Sequence, residues 1–357
     1  MRIGIYDPYL DDLGGGEKYM MTIAECLSKN HQVDVFWDDK NDLDKLQERF
    51  AIDFSKIKLT RNIFSSNVGT LERMGETRKY DVLIILSDGS VPLTLSKKLI
   101  LHMQQPLNPA LAKDIKTKLK FTRVNTIFYN SQFSSKFNSK IFQKVKSKVI
   151  YPPVSIHFEK TKKENIILHV GRFRVTNAKI SDYKKQQTMV DAFKKMVDDG
   201  LKGWKFIVAT SILNEKDTAF QQMLHSAKNY PVEFLVNKSN KELWQIYNKA
   251  KIYWHASGYG EDLEVHPELA EHFGISTVEA MGAGVVPVVF NAGGQREIVI
   301  DGMNGYLWNT LEELSEKTKK IMNDTQLWGK FSEEDKKDAQ RFSKNTFFDA
   351  VNRLVTQ

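Results

Sequence analysis

Two glutamates, Glu271 and Glu279, stand on either side of seven residues in EHFGISTVEAMGAGVVPVV, residues 271–289. Between them lies Phe-Gly-Ile-Ser-Thr, and Ser276 and Thr277 are of the types that cap a helix beginning there. A helix N-terminus presents free N–H groups and the positive end of a dipole, a setting that suits a phosphate. Glu279 then falls inside the helix, where its carboxylate can accept from two hydroxyls at once, as on a ribose. Glu271 precedes the turn and is free to approach a sugar ring. A bare pair of glutamates at this spacing is ordinary surface charge beside a capped helix. Here AMGAG follows the second acid, then an apolar strand and NAGGQREIV. Such small residues let backbone pass close to a ligand.

Basic groups at a strand end can clamp a diphosphate and stabilise it as it leaves. Arg172 directly follows the glycine that closes the apolar run NIILHVG, and Lys184 and Lys185 open the helical stretch KKQQTMVDAF. The spacing leaves open which lysine serves. Gly14, Gly15 and Gly16 follow the first strand and open a helix, with Asp38 and Asp39 after the second. That layout invites a dinucleotide reading, but Tyr19 takes the place of the third glycine of the fingerprint. His102 ends the run KKLILHM, either as a core histidine or as a group facing a ligand; His169, before Gly171, reads as structural. Asp42-Leu43-Asp44 is formally a metal-binding DxD, yet its polar, helix-starting context reads as solvated charge. No His or Cys spacing suggests zinc.

The segment with the two glutamates resembles the retaining GT-B glycosyltransferases of family GT4. The likeness extends in order along nearly the whole chain, through GGGEK at 14–18, LHMQQP at 101–106, HVGRFR at 169–174, KKQQTMVDAF at 184–193 and NGYLW near the end. In style it is closest to the Alg11-like mannosyltransferases and their bacterial relatives. One departure is Tyr-Lys-Lys at 183–185, where the family often has Glu-Lys-Gly. The resemblance implies a nucleotide diphosphate sugar as donor, a hexose of mannose or glucose type, transfer with retention and no metal. It implies Arg172 and Lys184 on the phosphates, Glu271 and His102 on the transferred sugar and Glu279 on the ribose. Gly15, Gly16, Gly274, Ile275, Ser276 and Thr277 would bring backbone to the nucleotide sugar. The acceptor hydroxyl attacks the face the nucleotide leaves, and the departing phosphate takes the proton. The implied acceptor is a glycan or a lipid-linked sugar, read by the first domain.

The elements that must hold these groups alternate strand and helix. RIGIY, HQVDVFW, DVLIIL, KKLILHM, NTIFYN and SKVIYPPV read as strands, with EKYMMTIAECLSKN and SQFSSKFNSKIFQKV as helices. Near-continuous apolar runs are strands buried on both faces, so the sheet is parallel and doubly wound. The pattern stops at Tyr151-Pro152-Pro153 and restarts at NIILHVG. The expected architecture is therefore α/β and GT-B, with two Rossmann-like domains facing across a cleft. Residues 1–150 form the acceptor side, 151–164 a linker, 165–340 the nucleotide-sugar domain, and 341–357 a helix able to pack back on the first domain.

The 357 residues carry a formal net charge of +8. Residues 93–150 hold twelve Lys and Arg against the single acid Asp114, a local +11 that leaves −3 for the remainder. In PALAKDIKTKLKFTR the apolar Leu111, Ile115, Leu119 and Phe121 interleave with Lys113, Lys116, Lys120 and Arg123. This reads either as a solvated helix or as one that meets anionic lipid headgroups. No nucleic-acid motif accompanies the charge. The one cysteine, Cys26, lies in an apolar helical pattern and permits no internal disulfide, which fits a reducing compartment. The N-terminus reads as a strand rather than a signal peptide, and no run approaches the ~20 apolar residues of a membrane span. The expected location is cytoplasmic, with peripheral contact at the cytoplasmic membrane face. Two other classes stay open: a non-catalytic nucleotide-sugar-binding or partner subunit, and an NAD-dependent oxidoreductase.

Overall fold

A computed structural model describes every residue except Leu13, 108–119, Lys140, Gln143, Arg174, 177–179 and Gln357. The region 108–119, with Leu111, Lys113, Ile115, Lys116 and Leu119, thus lies outside the described residues. The chain divides into two compact units, Met1–Pro153 with Lys344–Gln357, and Val154–Ser343.

The first unit is built on seven strands: β1 (Arg2–Tyr6), β2 (Gln32–Phe36), β3 (Ile57–Thr60), β4 (Val82–Leu86), β5 (Lys98–Met103), β6 (Thr126–Tyr129) and β7 (Lys146–Val149). All pair in parallel in the order β3-β2-β1-β4-β5-β6-β7. Every residue of β4 is buried, as its unbroken apolar run requires when helices cover both faces. The period of two still decides direction. Ile84 and Leu86 join the core under helix α1 (Gly15–Ser28), while Leu83 and Ile85 enter the opposite one with Leu99, Leu101 and Tyr129. Cys26 is 1% exposed in the first of these cores. Helices α2 (Lys40–Phe50), α3 (Thr70–Thr77) and α4 (Gln132–Asn138) complete the described cover.

The last helix of the chain, Lys344–Thr356, belongs to this first unit. Its Phe347, Val351 and Leu354 recur at helical spacing and join Ile23 and Leu27 of α1 in one apolar cluster. Lys344 pairs with Glu25 at 2.7 Å, and Lys98 donates to the Leu354 carbonyl at 3.2 Å.

The second unit holds six parallel strands in the order β12-β11-β8-β13-β14-β15. They are β8 (Ile166–Arg172), β11 (Lys205–Ser211), β12 (Val232–Val236), β13 (Ile252–His255), β14 (Val286–Phe290) and β15 (Tyr306–Trp308). Between β8 and β11 lie the two-residue antiparallel partners β9 (Val175–Thr176) and β10 (Ile180–Ser181). Helices α5 (Gln186–Asp198), α6 (Thr218–Ser226), α7 (Asn240–Lys249), α8 (Ile275–Gly282), α9 (Gln295–Ile298), α10 (Leu311–Asn323) and α11 (Thr325–Ala339) surround the sheet. The core is aromatic: Phe193, Phe206 and Trp254 pack together, and the buried Trp254 indole N–H reaches Thr318 Oγ1 at 2.9 Å. Strand order reverses beside β8, whose neighbours are β11 and β13. Crevices at the carboxyl ends of such strands are where doubly wound sheets bind ligands.

Residues 151–164 form no helix or strand, and the stretch opens on the two prolines at 152–153, which disfavour both. From Val154 they are nevertheless tied into the second unit. Val154 N–H donates to the Phe342 carbonyl at 2.8 Å, and Thr161 Oγ1 to that of Asn248 at 2.7 Å. Lys163 Nζ donates to the carbonyls of Tyr247 and Ala283 at 3.2 and 2.7 Å.

Candidate functional site

The Glu271–Glu279 segment lies past the carboxyl end of β13. Ser276 and Thr277 do not cap the helix. Gly274 is the N-cap, at φ 119°, and no side chain accepts from the first turn. The left-handed conformation is open to glycine, and it turns the chain directly into α8. Ser276 is engaged elsewhere, its Oγ 2.7 Å from Tyr253 Oη, and Thr277 is buried.

Two further glycines fix the loop before that turn. A β-carbon on Gly293 would stand 2.2 Å from the Glu271 carbonyl oxygen, and one on Gly294 2.4 Å from Phe273 Cα. The bare backbone instead approaches, and Gly294 N–H donates to Glu271 O at 2.7 Å. The Gly-Gly pair therefore positions Glu271 by letting two backbones touch.

On this support the structure joins residues far apart in sequence. Lys184 Nζ lies 2.6 Å from Glu271 Oε2, and His255 Nε2 lies 2.8 Å from the same oxygen. Lys185 instead pairs with Glu261. Burial on its own raises a carboxyl, but the Lys184 charge and the His255 and Lys184 hydrogen bonds hold Glu271 well below the usual range. Burial likewise opposes the Lys184 charge, and Glu271 overrides it, so the lysine titrates above its ordinary value. The nearby histidines stay neutral. Burial lowers His255 against the pull of Glu271, brings His169 to about 3 and His272 to about 4. His169 donates from Nδ1 to the Trp254 carbonyl at 3.0 Å, a structural placement. Arg172 is exposed at the carboxyl end of β8.

Glu279 sits one turn into α8 and accepts from Tyr247 Oη at 3.1 Å, the same hydroxyl that lies 3.3 Å from Ser276 O. Tyr253 Oη lies 3.3 Å from the Val170 carbonyl. Burial raises both phenols, so they remain protonated donors. Tyr247, Tyr253 and His255 belong to none of the sequence motifs. Tyr253 and His255 carry polar atoms within the apolar run IYWHAS, and Tyr247 lies in the helical stretch NKELWQIYNK.

In the first unit, Gly14 caps α1 and its N–H donates to Glu17 Oε2 at 2.6 Å. Gly15 and Gly16 form the first turn, and a β-carbon on Gly16 would stand 2.6 Å from Gln104 Oε1. His102 is 0% exposed. It stacks between Tyr19 and Phe128 at 4.3 and 4.4 Å, with Nδ1 3.2 Å from Phe128 O, and burial lowers it to about 3. The dinucleotide layout is used internally. Asp38 accepts from Asn62 N–H and Asp39 caps α2, while Tyr19, in the third glycine's place, is a buried ring bonded to Ile150 O. Asp42 accepts from the Trp37 indole and Lys45. Among the described residues no cluster of three or more His, Cys, Asp or Glu could hold a metal.

Comparison with known proteins extends this geometry. Over its full length the structure superposes on Anabaena HepE, solved with UDP, at a TM-score of 0.76, 20% identity and complete coverage of both chains. It superposes on sucrose-phosphate synthase of Thermosynechococcus elongatus at 0.70, 13% identity, and 100% and 98% coverage. These likenesses are of fold, the two parallel-sheet GT-B architecture. In sequence, the GDP-Man:Man(3)GlcNAc(2)-PP-Dol alpha-1,2-mannosyltransferase of Dictyostelium discoideum is 24% identical over 227 residues, 58% of this chain and 43% of that protein. The alpha-1,3/1,6-mannosyltransferase ALG2 of the same organism is 26% identical over 298 residues, 69% of this chain and 68% of its own. The chain thus matches less than half the length of the first relative. The model of the family "Glycosyl transferases group 1" matches residues 155–345, the span that carries Arg172, Lys184, Glu271 and Glu279, and the chain belongs to that family.

Proposed function

We propose that this chain is a retaining hexosyltransferase of the GT4 type, which moves a mannose- or glucose-type sugar from a nucleotide diphosphate to a glycan or lipid-linked acceptor. The observation that carries the reading is the meeting of Lys184, Glu271 and His255 at the carboxyl end of the second sheet, with Glu279 one turn into the helix that follows Glu271. Arg172 and Lys184 supply positive charge for a leaving diphosphate, Glu271 an acceptor for a sugar hydroxyl, and Glu279 an acceptor for the ribose. Charge fixed in advance where a leaving group develops its own supplies much of the acceleration in such transfers, and it requires no protein nucleophile. The basic groups take the place a cation holds in other transferases, so no metal enters. The names of the relatives support a mannose-type donor and a lipid-linked acceptor. HepE, solved with UDP-glucose, supports a glucose-type one.

The reading includes docking at an anionic membrane face from the cytoplasm. Among the described residues no helix is long and apolar enough to cross a bilayer. Basic groups do cluster on the first unit: burial lowers Lys98, and Lys146 and Lys148 add repulsion to it. The oxidoreductase alternative loses support from the engaged Asp38 and Asp39. A non-catalytic role sits poorly with an intact Lys184–Glu271 cluster.

The test is a panel of GDP-, UDP-, ADP- and dTDP-sugars offered to the purified protein, scored by thermal shift and donor hydrolysis. Binding at a hundred times Kd adds about 2.7 kcal/mol. Stabilisation and turnover with one base are expected. Binding without any turnover favours the partner-subunit reading, and NADH binding the oxidoreductase.

A further inference from the structure

His255 ends β13, is 1% exposed, and directs Nε2 at Glu271 Oε2 from 2.8 Å. An ionised carboxylate accepts only, so the imidazole proton sits on Nε2. The buried Nδ1 has no partner among the described residues, so no acceptor there competes for the proton. Ser257 Oγ, 3.4 Å from the same Nε2, lies at the edge of hydrogen-bond reach. Lys184 Nζ also approaches Oε2. Both strong donors thus converge on one oxygen of Glu271, and Oε1 is the oxygen left to accept from a ligand.

The two donors differ in what a bound nucleotide sugar does to them. Lys184 is a flexible ammonium that a diphosphate attracts, as the proposed function requires of it. His255 is locked in a strand, buried and uncharged, so phosphate exerts no comparable pull on it. We propose that His255 is a positioning residue for the transferred sugar: its Nε2–H holds Oε2 of Glu271 when Lys184 turns to the diphosphate, and so keeps Oε1 aimed at a sugar hydroxyl. This rests on the transferase reading of the same site. It deepens that reading by assigning recognition of the sugar, as distinct from the nucleotide, to a histidine–glutamate pair.

The experiment compares wild type with His255→Leu, His255→Asn and His255→Gln. Gln carries an amide N–H about as far as the imidazole Nε2, whereas Asn stops short and Leu offers none. Calorimetry measures the nucleotide diphosphate and the intact nucleotide sugar of whichever base the donor panel selects, and steady-state kinetics measure transfer. In Leu and Asn, the diphosphate should keep its affinity within about twofold. The intact donor should bind about tenfold more weakly and kcat should fall by about tenfold or more, as expected for one lost hydrogen bond to a charged group. Gln should recover most of both losses. Unchanged diphosphate binding is itself the control for folding; should Leu fail it, Asn and Gln carry the comparison. Equal weakening of diphosphate and intact donor, Gln no better than Asn, or wild-type kinetics in Asn would each overturn the positioning role with the transferase reading intact. A wild type that binds no nucleotide sugar at all would overturn both.

Discussion

At the residue scale the site is a set of opposed tendencies. Burial drives Glu271 toward neutrality and Lys184 toward loss of its proton, and their pairing reverses both. Removing one partner leaves the other buried without compensation. Lys184→Ala therefore costs on two counts, and Arg172→Ala on the charge alone. Each should lower kcat by the ~2.7–4 kcal/mol typical of a lost donor to developing charge, with the fold intact by circular dichroism. An active Lys184→Ala beside a dead Lys185→Ala would move the phosphate ligand by one residue. The glutamates should separate by ligand. Glu279→Ala should weaken the free nucleotide diphosphate, since ribose belongs to it, whereas Glu271→Ala should spare that affinity and damage transfer. Calorimetry with the diphosphate alone decides, and equal losses would contradict the assignment.

At the element scale, position is set by close backbone approach and by helix ends. Gly293 and Gly294 hold the stretch from Glu271 to Phe273 at a distance no side chain permits. Gly293→Ala adds strain at φ 60° to the clash and should cost on the order of 1–3 kcal/mol, read by urea denaturation, together with transfer. Lys163 joins α7 and α8, the helices that carry Tyr247 and Glu279, through the carbonyls of Tyr247 and Ala283. Burial, with repulsion from Lys336, brings its ammonium down to about 7 from the usual 10.5. Between those values the unfolded chain binds the proton that the folded one releases, so this lysine makes stability rise with pH from 7 toward 10.5. Lys163→Met should lack that rise in Tm against pH. An unchanged pH profile would show that the amine titrates normally.

At the scale of the whole molecule, two expectations concern conditions. Activity should survive EDTA; complete loss restored by manganese or magnesium would sink the metal-free mechanism. The protein should float with anionic liposomes, ignore neutral ones and detach in high salt. Each Lys or Arg near an anionic surface adds about 1 kcal/mol, screened within ~8–10 Å. Charge reversal at Lys146 and Lys148 should reduce flotation and leave nucleotide affinity unchanged. Indifference to lipid charge at low salt would favour a soluble or polymeric acceptor. Lys146 and Lys148 also lie on β7, a sheet edge, where a charge deters pairing with another chain; the reversed variant keeps a charge there and should not aggregate, whereas neutral replacement should promote it.

Much of this molecule is written locally. Apolar runs of strand length, such as DVLIIL and NIILHVG, alternate with helical periodicity and dictate parallel sheets covered on both faces. The prolines at 152 and 153 mark where one sheet ends and the next begins, and Glu271, Glu279 and the glycines that follow mark a candidate site by type, spacing and context. Partners lie beyond such reasoning. Lys184 and Glu271 are 87 residues apart, and His255, at the end of β13, is 16 residues before Glu271; the three meet because β8 and β13 are neighbours, an order that no single segment encodes. The same holds for His102, which strand position alone leaves undecided and which Tyr19 and Phe128 enclose. It holds for Gly274, which caps α8 in place of Ser276 because the backbone there is left-handed. Periodicity and residue type act over a few neighbours. Burial, pairing and proton affinity are set by what the other strands bring alongside.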